Sequence, residues 1–260
     1  MKKGWAVITG ASSGIGAEFA RQFSQEGYDI LLVARRKERL IELQKHLSGN
    51  SEILVCDLAD MQGIEKLTAW IRENKPYLLV NNAGFGKCGD FVQNAQFGSE
   101  MIRVNIRAVH DLTAETLRVM ESQGFGCILN VASSAGLLPC GPYMTDYYAT
   151  KAFVTSMTEG AAEELRRKGS PVRLFCLCPG PVQTEFNQVA QVKFALPQIT
   201  AERCVRAAMQ GMKRRKVIIT PSLLIRAGLI LQRFVPRRLV IRMISHAQRR
   251  KMYPDAKKES

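Results

Sequence analysis

Trp5-Ala-Val-Ile-Thr-Gly10-Ala-Ser-Ser-Gly14-Ile-Gly16 is the segment that most limits what this chain can become. The apolar run Ala6 to Ile8 enters three glycines spaced G-x-x-x-G-x-G. An amphipathic stretch follows, with Phe19, Ala20 and Phe23 on one side and Glu18, Arg21, Gln22 and Gln25 on others. A strand, a glycine turn and a helix, in that order, open a dinucleotide site in doubly wound folds. Glycines let the backbone approach a pyrophosphate, and the helix N-terminus supplies free N–H groups and a favourable dipole. The spacing departs from G-x-G-x-x-G, and a tight strand-to-helix turn with no ligand would read the same way taken alone.

The rest of the chain continues the alternation. The apolar runs predict strands at 5–9, 29–34, 52–56, 77–81, 126–131, 172–178 and 216–219. Helical patterns lie between them near 14–27, 36–47, 60–74, 97–121, 146–169 and 200–213. Leu31-Leu-Val-Ala34 and Leu78-Leu-Val80 are apolar throughout, as strands covered on both faces should be. The pattern predicts an α/β fold: a Rossmann-like, doubly wound parallel sheet of about seven strands with right-handed crossovers. A length of 260 residues fits one such domain, placed at 1–220, with a substrate flap near 183–199 and a basic extension at 221–260.

A second pattern carries chemistry. In Asp146-Tyr-Tyr-Ala-Thr-Lys151, Tyr147 and Lys151 stand four apart, with Ser133 upstream. Positions i and i+4 share a helix face, so the spacing predicts an ammonium beside a phenol and a phenol pKa pulled down from its usual value. A serine hydroxyl alongside could hold a carbonyl oxygen while the phenol exchanges a proton with it.

Taken with Thr9-Gly10 to Gly16, Asp57 after the third strand, Asn81-Asn82-Ala83-Gly84, Asn105, and Pro179-Gly180-x-Val182-x-Thr184, these motifs resemble the single-domain short-chain dehydrogenase/reductases over roughly residues 4 to 220. The resemblance extends to hydroxysteroid dehydrogenases and 3-ketoacyl reductases. It implies an oxidoreductase acting between CH–OH and C=O, with Asn105, Ser133, Tyr147 and Lys151 as the catalytic group and Asn105 anchoring a proton-relay water. The family's spacing selects Tyr147 over Tyr148 and Ser133 over Ser134. The interval from Ser133 to Tyr147 is one residue longer than expected, which bears on the loop Leu138 to Met144. The cofactor would be held by Gly10, Ser12, Ser13, Gly14, Ile15 and Gly16, then by Asp57 and Leu58 at the adenine. Asn82, Ala83 and Gly84 would line its middle, with Tyr147 and Lys151. Pro179, Gly180, Val182 and Thr184 would hold its nicotinamide end, and Asn81 would tie neighbouring strands.

Cofactor choice is read nineteen residues past Gly16, where NAD-binding relatives carry an acid. Here stand Arg35 and Arg36, then Lys37. Guanidinium groups suit a 2′-phosphate, and no carboxylate stands at that place, so NADP(H) is preferred over NAD(H). A solvated basic helix start is the alternative, and Ser13 stands where many NADP-preferring relatives have a base. The substrate side would be Ser133 and Tyr147 with Phe85, Leu137, Tyr143, Met144 and Phe186. That apolar, aromatic set predicts a bulky carbonyl or alcohol: a steroid, bile acid or long-chain 3-ketoacyl group. No metal site is expected. The seven cysteines include no Cys-x-x-Cys pair and read as reduced thiols of a cytoplasmic protein, possessing no signal peptide. A homodimer or homotetramer built on the two long helices is the family's usual assembly.

The C-terminal extension is unusual. Residues 213–260 hold fourteen Lys/Arg against Asp255 and Glu259, so twelve of the chain's fourteen net positive charges reside there. Ser222 to Phe234 and the stretch after Pro236 are amphipathic and short of the about 20 apolar residues that span a bilayer. They read equally as helices lying on a membrane surface and as a lid or subunit contact. A nucleic-acid footprint lacks a motif. Two other functions stay open on sequence alone: a non-catalytic dinucleotide sensor or scaffold, and a membrane-surface interaction protein acting through the tail.

Overall fold

The computed structural model describes residues 3–190 and 197–252. Seven parallel strands form one sheet in the order β3-β2-β1-β4-β5-β6-β7: β1 Trp5–Thr9, β2 Asp29–Ala34, β3 Ser51–Val55, β4 Leu78–Asn81, β5 Cys127–Val131, β6 Arg173–Leu177 and β7 Ile218–Ile219. Each expected strand is present, with ends shifted by one or two residues. Helices α1 Gly14–Gln25, α2 Lys37–Gln44, α3 Met61–Asn74, α4 Ala95–Met101, α5 Val109–Gln123, α6 Thr145–Arg167, α7 Phe186–Val189 and α8 Ala201–Lys213 connect them. Beyond β7, α9 Leu223–Leu231 and α10 Arg237–Met252 form an arm. The single helix expected over 97–121 is α4 and α5 joined by a π-helical segment, Ile102–Ala108.

Alternate side chains of each strand bury on opposite sides. Ala6 and Ile8 of β1 join α1, α2 and α8 through Phe19, Phe23, Leu40 and Val205. Val7 joins α3 and α5 on the other side through Ile64, Leu67, Ile71 and Leu112. Phe19, Leu67 and Leu112 are fully buried, and each such side chain contributes about 1.5–3 kcal/mol. The two-sided burial explains why these strands read as unbroken apolar runs.

The chain reverses its winding between β1 and β4, and in open α/β sheets ligands bind beyond the strand ends at that place. The crevice is fixed by hydrogen bonds. The Thr9 hydroxyl accepts from the Asn82 and Ala83 amides at 2.9 and 3.0 Å, and Asn82 Nδ2 donates to the Thr9 carbonyl at 3.0 Å. One strand over, Asn81 Nδ2 donates to Asn130 Oδ1 at 2.9 Å, and Asn130 donates to Thr158 Oγ1 at 3.0 Å, tying β4, β5 and α6. Cys56, Cys127, Cys140, Cys176, Cys178 and Cys204 are thiols outside any disulfide. Among the described residues no helix is long and apolar enough to cross a membrane.

Candidate active site

A cavity of about 840 Å³ opens over the ends of β1, β4 and β5. Its floor at one end is the glycine turn. Gly10 and Gly14 have φ of +65° and +56°, the left-handed region where a Cβ is costly. A Cβ on Gly10 would stand 2.9 Å from the Ala83 backbone. The α1 N-terminus has no side-chain cap and no acid in its first turn, which leaves its N–H groups for an anion. Gly16 does not face the cavity. A Cβ there would sit 2.3 Å from the Gly10 carbonyl oxygen, so its role is close packing of α1 against the turn, a correction to its assignment as a ligand residue. The other cofactor positions named from sequence all line the cavity. A turn with no room for side chains and an uncapped helix start fit a dinucleotide pyrophosphate.

The basic residues are placed, but not alone. Arg36 donates to Ser12 Oγ at 2.9 Å and Ser13 Oγ at 2.9 Å, and its other terminal nitrogen pairs with Glu185 at 3.0 Å. Arg39 pairs with the same carboxylate, which holds Glu185 below the usual carboxylate range, Arg39 contributing first. Arg35 is 3.3 Å from Asp57 and 3.9 Å from Glu100. No carboxylate stands at the place after β2, but three reach the arginines from β3's end, α4 and the segment before α7.

Ser133, Tyr147 and Lys151, expected from sequence to be catalytic, line the same cavity. Ser133 follows β5 and caps the short helical turn Ser134–Leu137, its Oγ accepting from the Ala135 amide at 3.1 Å. Its hydroxyl donates to the Pro179 carbonyl at 3.5 Å and stands close enough to the Tyr147 phenol to hold that group's pKa down. Lys151 lies one turn further along α6, buried, and donates to the Val131 carbonyl at 2.9 Å. Its Nζ is 5.9 Å from the Tyr147 ring centre. Tyr148 also lines the cavity, but its hydroxyl is engaged by the arm, accepting from Gln248 Nε2 at 2.9 Å.

Asn105 is fully buried within the π-helical segment, a geometry that recurs at functional sites. Its Nδ2 donates to the Phe85 carbonyl at 2.9 Å and to Thr150 Oγ1 at 3.1 Å, and its Oδ1 accepts from the Phe85 amide at 3.1 Å. The side chain therefore fastens the Asn82–Phe85 segment to α6. Gly84 passes so close that a Cβ would stand 2.9 Å from Asn105 Oδ1 and 3.4 Å from Lys151 Nζ.

The expected acidified phenol is not found. Burial pushes Tyr147 up to about 12, and the Ser133 hydrogen bond offsets this only in part. Burial also lowers Lys151, to about 8. The i,i+4 spacing does bring the two side chains to one face. The ammonium, however, is turned to the Val131 carbonyl, and burial dominates the phenol's titration.

Phe85 and Phe186 line the cavity, as do Met144 and Leu138. Phe186 lies 5.3 Å from the Tyr147 ring, centre to centre. Leu137 and Tyr143 do not line it, and both assignments are corrected. Leu137 packs with Val154 and Cys178 on the other side of its turn. Tyr143 has a left-handed backbone, φ +65°, and packs in the same apolar cluster as Tyr147, Met144 and Phe186 without itself reaching the cavity. Of the flap expected at 183–199, residues 191–196 lie outside the described residues.

The sequence reading missed the cavity's other wall, which comes from the arm. Leu224, Ile225, Leu229, Gln232, Val240 and Ile244 face into it. The arm is fastened by Gln232 Nε2 donating to the Leu137 carbonyl at 2.9 Å, Arg237 to the Pro139 carbonyl at 3.1 Å, and Gln248 to Tyr148. The lid was one of the open readings of the tail. The amphipathic period identified the helices but not what they cover.

Comparison with known proteins agrees with this geometry. The sequence pattern described as short chain dehydrogenase matches residues 4–193. A curated zebrafish (Danio rerio) protein, very-long-chain 3-oxoacyl-CoA reductase-B, is 31% identical over 214 residues, covering 79% of this chain and 67% of its own length. The chain thus spans about two thirds of that relative. Two solved short-chain dehydrogenases are similar in structure. One, from Sphingobium yanoikuyae in complex with NADPH, has a TM-score of 0.80 at 32% identity, covering 91% of this chain and 94% of that one. The other, from Burkholderia phymatum in complex with NAD, has a TM-score of 0.81 at 26% identity, covering 90% and 94%. With the glycine turn, the Ser133–Tyr147 pair and the buried Lys151 on one cavity, the chain belongs to the short-chain dehydrogenase/reductase family and is an oxidoreductase that binds a nicotinamide dinucleotide.

Proposed function

We propose that the protein is an NADP(H)-dependent carbonyl reductase for bulky, lipid-like substrates such as a long-chain 3-ketoacyl group or a hydroxysteroid or bile acid, working in reverse as a secondary-alcohol dehydrogenase. One observation carries the reading. Ser133 and Tyr147 both face a single cavity whose one end is a glycine turn with Arg36 and whose other end is walled by apolar side chains of the arm. The zebrafish relative's name supports a long-chain substrate.

A bound reduced nicotinamide supplies hydride to the carbonyl carbon. The protein's residues do the rest. Ser133 and Tyr147 donate hydrogen bonds to the carbonyl oxygen, positioned by β5 and α6. At neutral pH the phenol is protonated, so Tyr147 can give its proton to the oxygen as negative charge develops there. The buried ammonium of Lys151 lowers the cost of the resulting phenolate and stands where it can hold the cofactor's ribose. Asn105 fixes Phe85 and Thr150, keeping the strand-end segment in register with Tyr147. The apolar wall excludes water, which strengthens each of these interactions.

Preference for the phosphorylated cofactor rests on Arg36, whose guanidinium already gathers Ser12 and Ser13 Oγ, with Arg39 behind it. A 2′-phosphate would replace the Glu185 carboxylate at both arginines. Residues 1–220 act as the catalytic domain and the arm as its lid. The thiols of Cys56, Cys127, Cys140, Cys176, Cys178 and Cys204, outside any disulfide, support a reducing compartment such as the cytoplasm, and Phe153, partly exposed on α6, supports assembly into a homodimer or homotetramer through the long helices.

The test is absorbance at the reduced nicotinamide band with NADPH or NADH and a panel of short ketones, hydroxysteroid ketones and ketoacyl thioesters. Turnover should favour NADPH and rise with the apolar bulk of the substrate. Equal rates with NADH, or a preference for small charged ketones, would overturn the respective part.

A further inference from the structure

We propose that α9 and the start of α10 dock on an anionic lipid surface and that the substrate end of the cavity opens onto it, so that the carbonyl substrate reaches Tyr147 from the bilayer. The inference rests on the lipid-like substrate proposed above and adds where that substrate comes from. At about 100° per helical residue, Leu223, Ile230 and Phe234 fall on one line of α9 and its terminal turn. They are 74%, 60% and 81% exposed, far beyond what scattered surface leucines require. Leu224 and Leu231 lie roughly a quarter turn round from that line. They are 57% and 66% exposed and at the same time line the cavity. The outer apolar stripe therefore passes without a polar break into the cavity wall. A lid that served only to close the pocket would have no need of its outer face.

Charge selects the partner. Arg226 and Arg233 flank the stripe on its other side, Arg237, Arg238 and Arg242 follow on α10, and residues 221–252 contain no Asp or Glu. Basic residues beside a band of Leu, Ile and Phe suit a helix lying among anionic headgroups with its apolar side in the acyl region. A second copy of the chain is the poorer occupant. A two-fold contact sets a patch against itself, and here that would face arginines with arginines and no carboxylate between them.

The experiment uses the full chain, co-sedimented with vesicles of phosphatidylcholine alone or with one third phosphatidylglycerol. Binding should appear with the anionic vesicles and fall with salt. Arg226→Gln with Arg233→Gln should weaken it on the order of 25-fold, about fivefold for each basic residue near the surface. Leu223→Ser, Ile230→Ser and Phe234→Ser together should weaken it at least tenfold on the order expected for exposed apolar side chains entering lipid. None of these five residues lines the cavity, so NADPH-dependent turnover of a water-soluble ketone without vesicles should be unchanged in both variants. Turnover of a long-chain ketone embedded in the vesicles should fall with binding. Absence of vesicle binding by an enzyme that turns over the soluble ketone overturns the docking and leaves the proposed activity standing. Failure to reduce any ketone, with vesicle binding intact, sinks the activity instead. A change of molar mass in the apolar variant, measured by light scattering, with no vesicle binding by the parent, makes the stripe a subunit contact and overturns the proposal.

Discussion

Lys151→Met should make the free enzyme inactive and yet no less stable at neutral pH. The Nζ of Lys151 is buried and has the Val131 carbonyl as its hydrogen-bond acceptor. Its pKa falls from 10.5 to about 8, so keeping the amine charged costs on the order of 3 kcal/mol at pH 7. Methionine removes that cost and fills similar space. It also strands the Val131 carbonyl, which costs about 1–3 kcal/mol, so the net at pH 7 lies between roughly no change and a gain of about 2 kcal/mol. The pH dependence is sharper than the net. Between pH 8 and 10.5 the unfolded lysine binds a proton that the folded one has released, so parent stability gains on the order of 3 kcal/mol as pH rises through that window. The variant lacks this gain. Tyr147 titrates above its ordinary value in both proteins and cancels in the comparison. Urea unfolding of both proteins at several pH values from 7 to 10.5 measures the difference directly. The variant's advantage should shrink steadily with pH and reverse. A stability difference that stays constant across the window would refute the buried, strained charge.

Three further outcomes follow from the same geometry. Glu185→Gln should lower the KM for NADPH about two- to thirtyfold, as two exposed ion pairs of about 0.2–1 kcal/mol each no longer compete for Arg36 and Arg39, and leave that for NADH unchanged; an equal effect on both cofactors would remove Glu185 from the 2′-phosphate site. For ketone reduction, kcat/KM should hold level through neutral pH and fall as pH rises past about 8, where Lys151 loses its proton, whereas alcohol oxidation should gain with pH as the Tyr147 proton becomes easier to lose; a reduction profile flat to pH 10 contradicts this. Gly16→Ala should unfold or severely weaken the protein, seen as a drop in melting temperature without cofactor, because its Cβ meets the Gly10 carbonyl at 2.3 Å.

Much of the fold was legible because its determinants are local. Strands such as Leu78–Asn81 are buried along their length, and the glycines at 10, 14 and 16 stand where a Cβ would crowd neighbouring atoms. The gathering of Ser133, Tyr147 and Lys151 on one cavity was legible because Tyr147 and Lys151 share one helix and Ser133 follows β5. What failed depended on neighbours distant in sequence. The phenol's pKa is set by burial under Phe186 and the strand-end segment, not by its i+4 partner. Glu185 meets Arg36 across 149 residues, so no reading of the segment after β2 could have included it. Leu137 and Leu138 differ only in which way a short helical turn presents them. The arm's helices were visible in the hydrophobic period, but their seat above Ser133 and Tyr147 depends on three hydrogen bonds to carbonyls and a phenol roughly a hundred residues away.

The most direct measurement is NADPH consumption by Tyr147→Phe with a bulky ketone, alongside fluorescence titration of NADPH binding. Loss of one phenolic proton donor should cut turnover by about 10²–10⁴-fold while the cofactor still binds with its parent affinity. Turnover near that of the parent would mean that another group protonates the carbonyl oxygen and that the Ser133–Tyr147 pair is not the reaction centre.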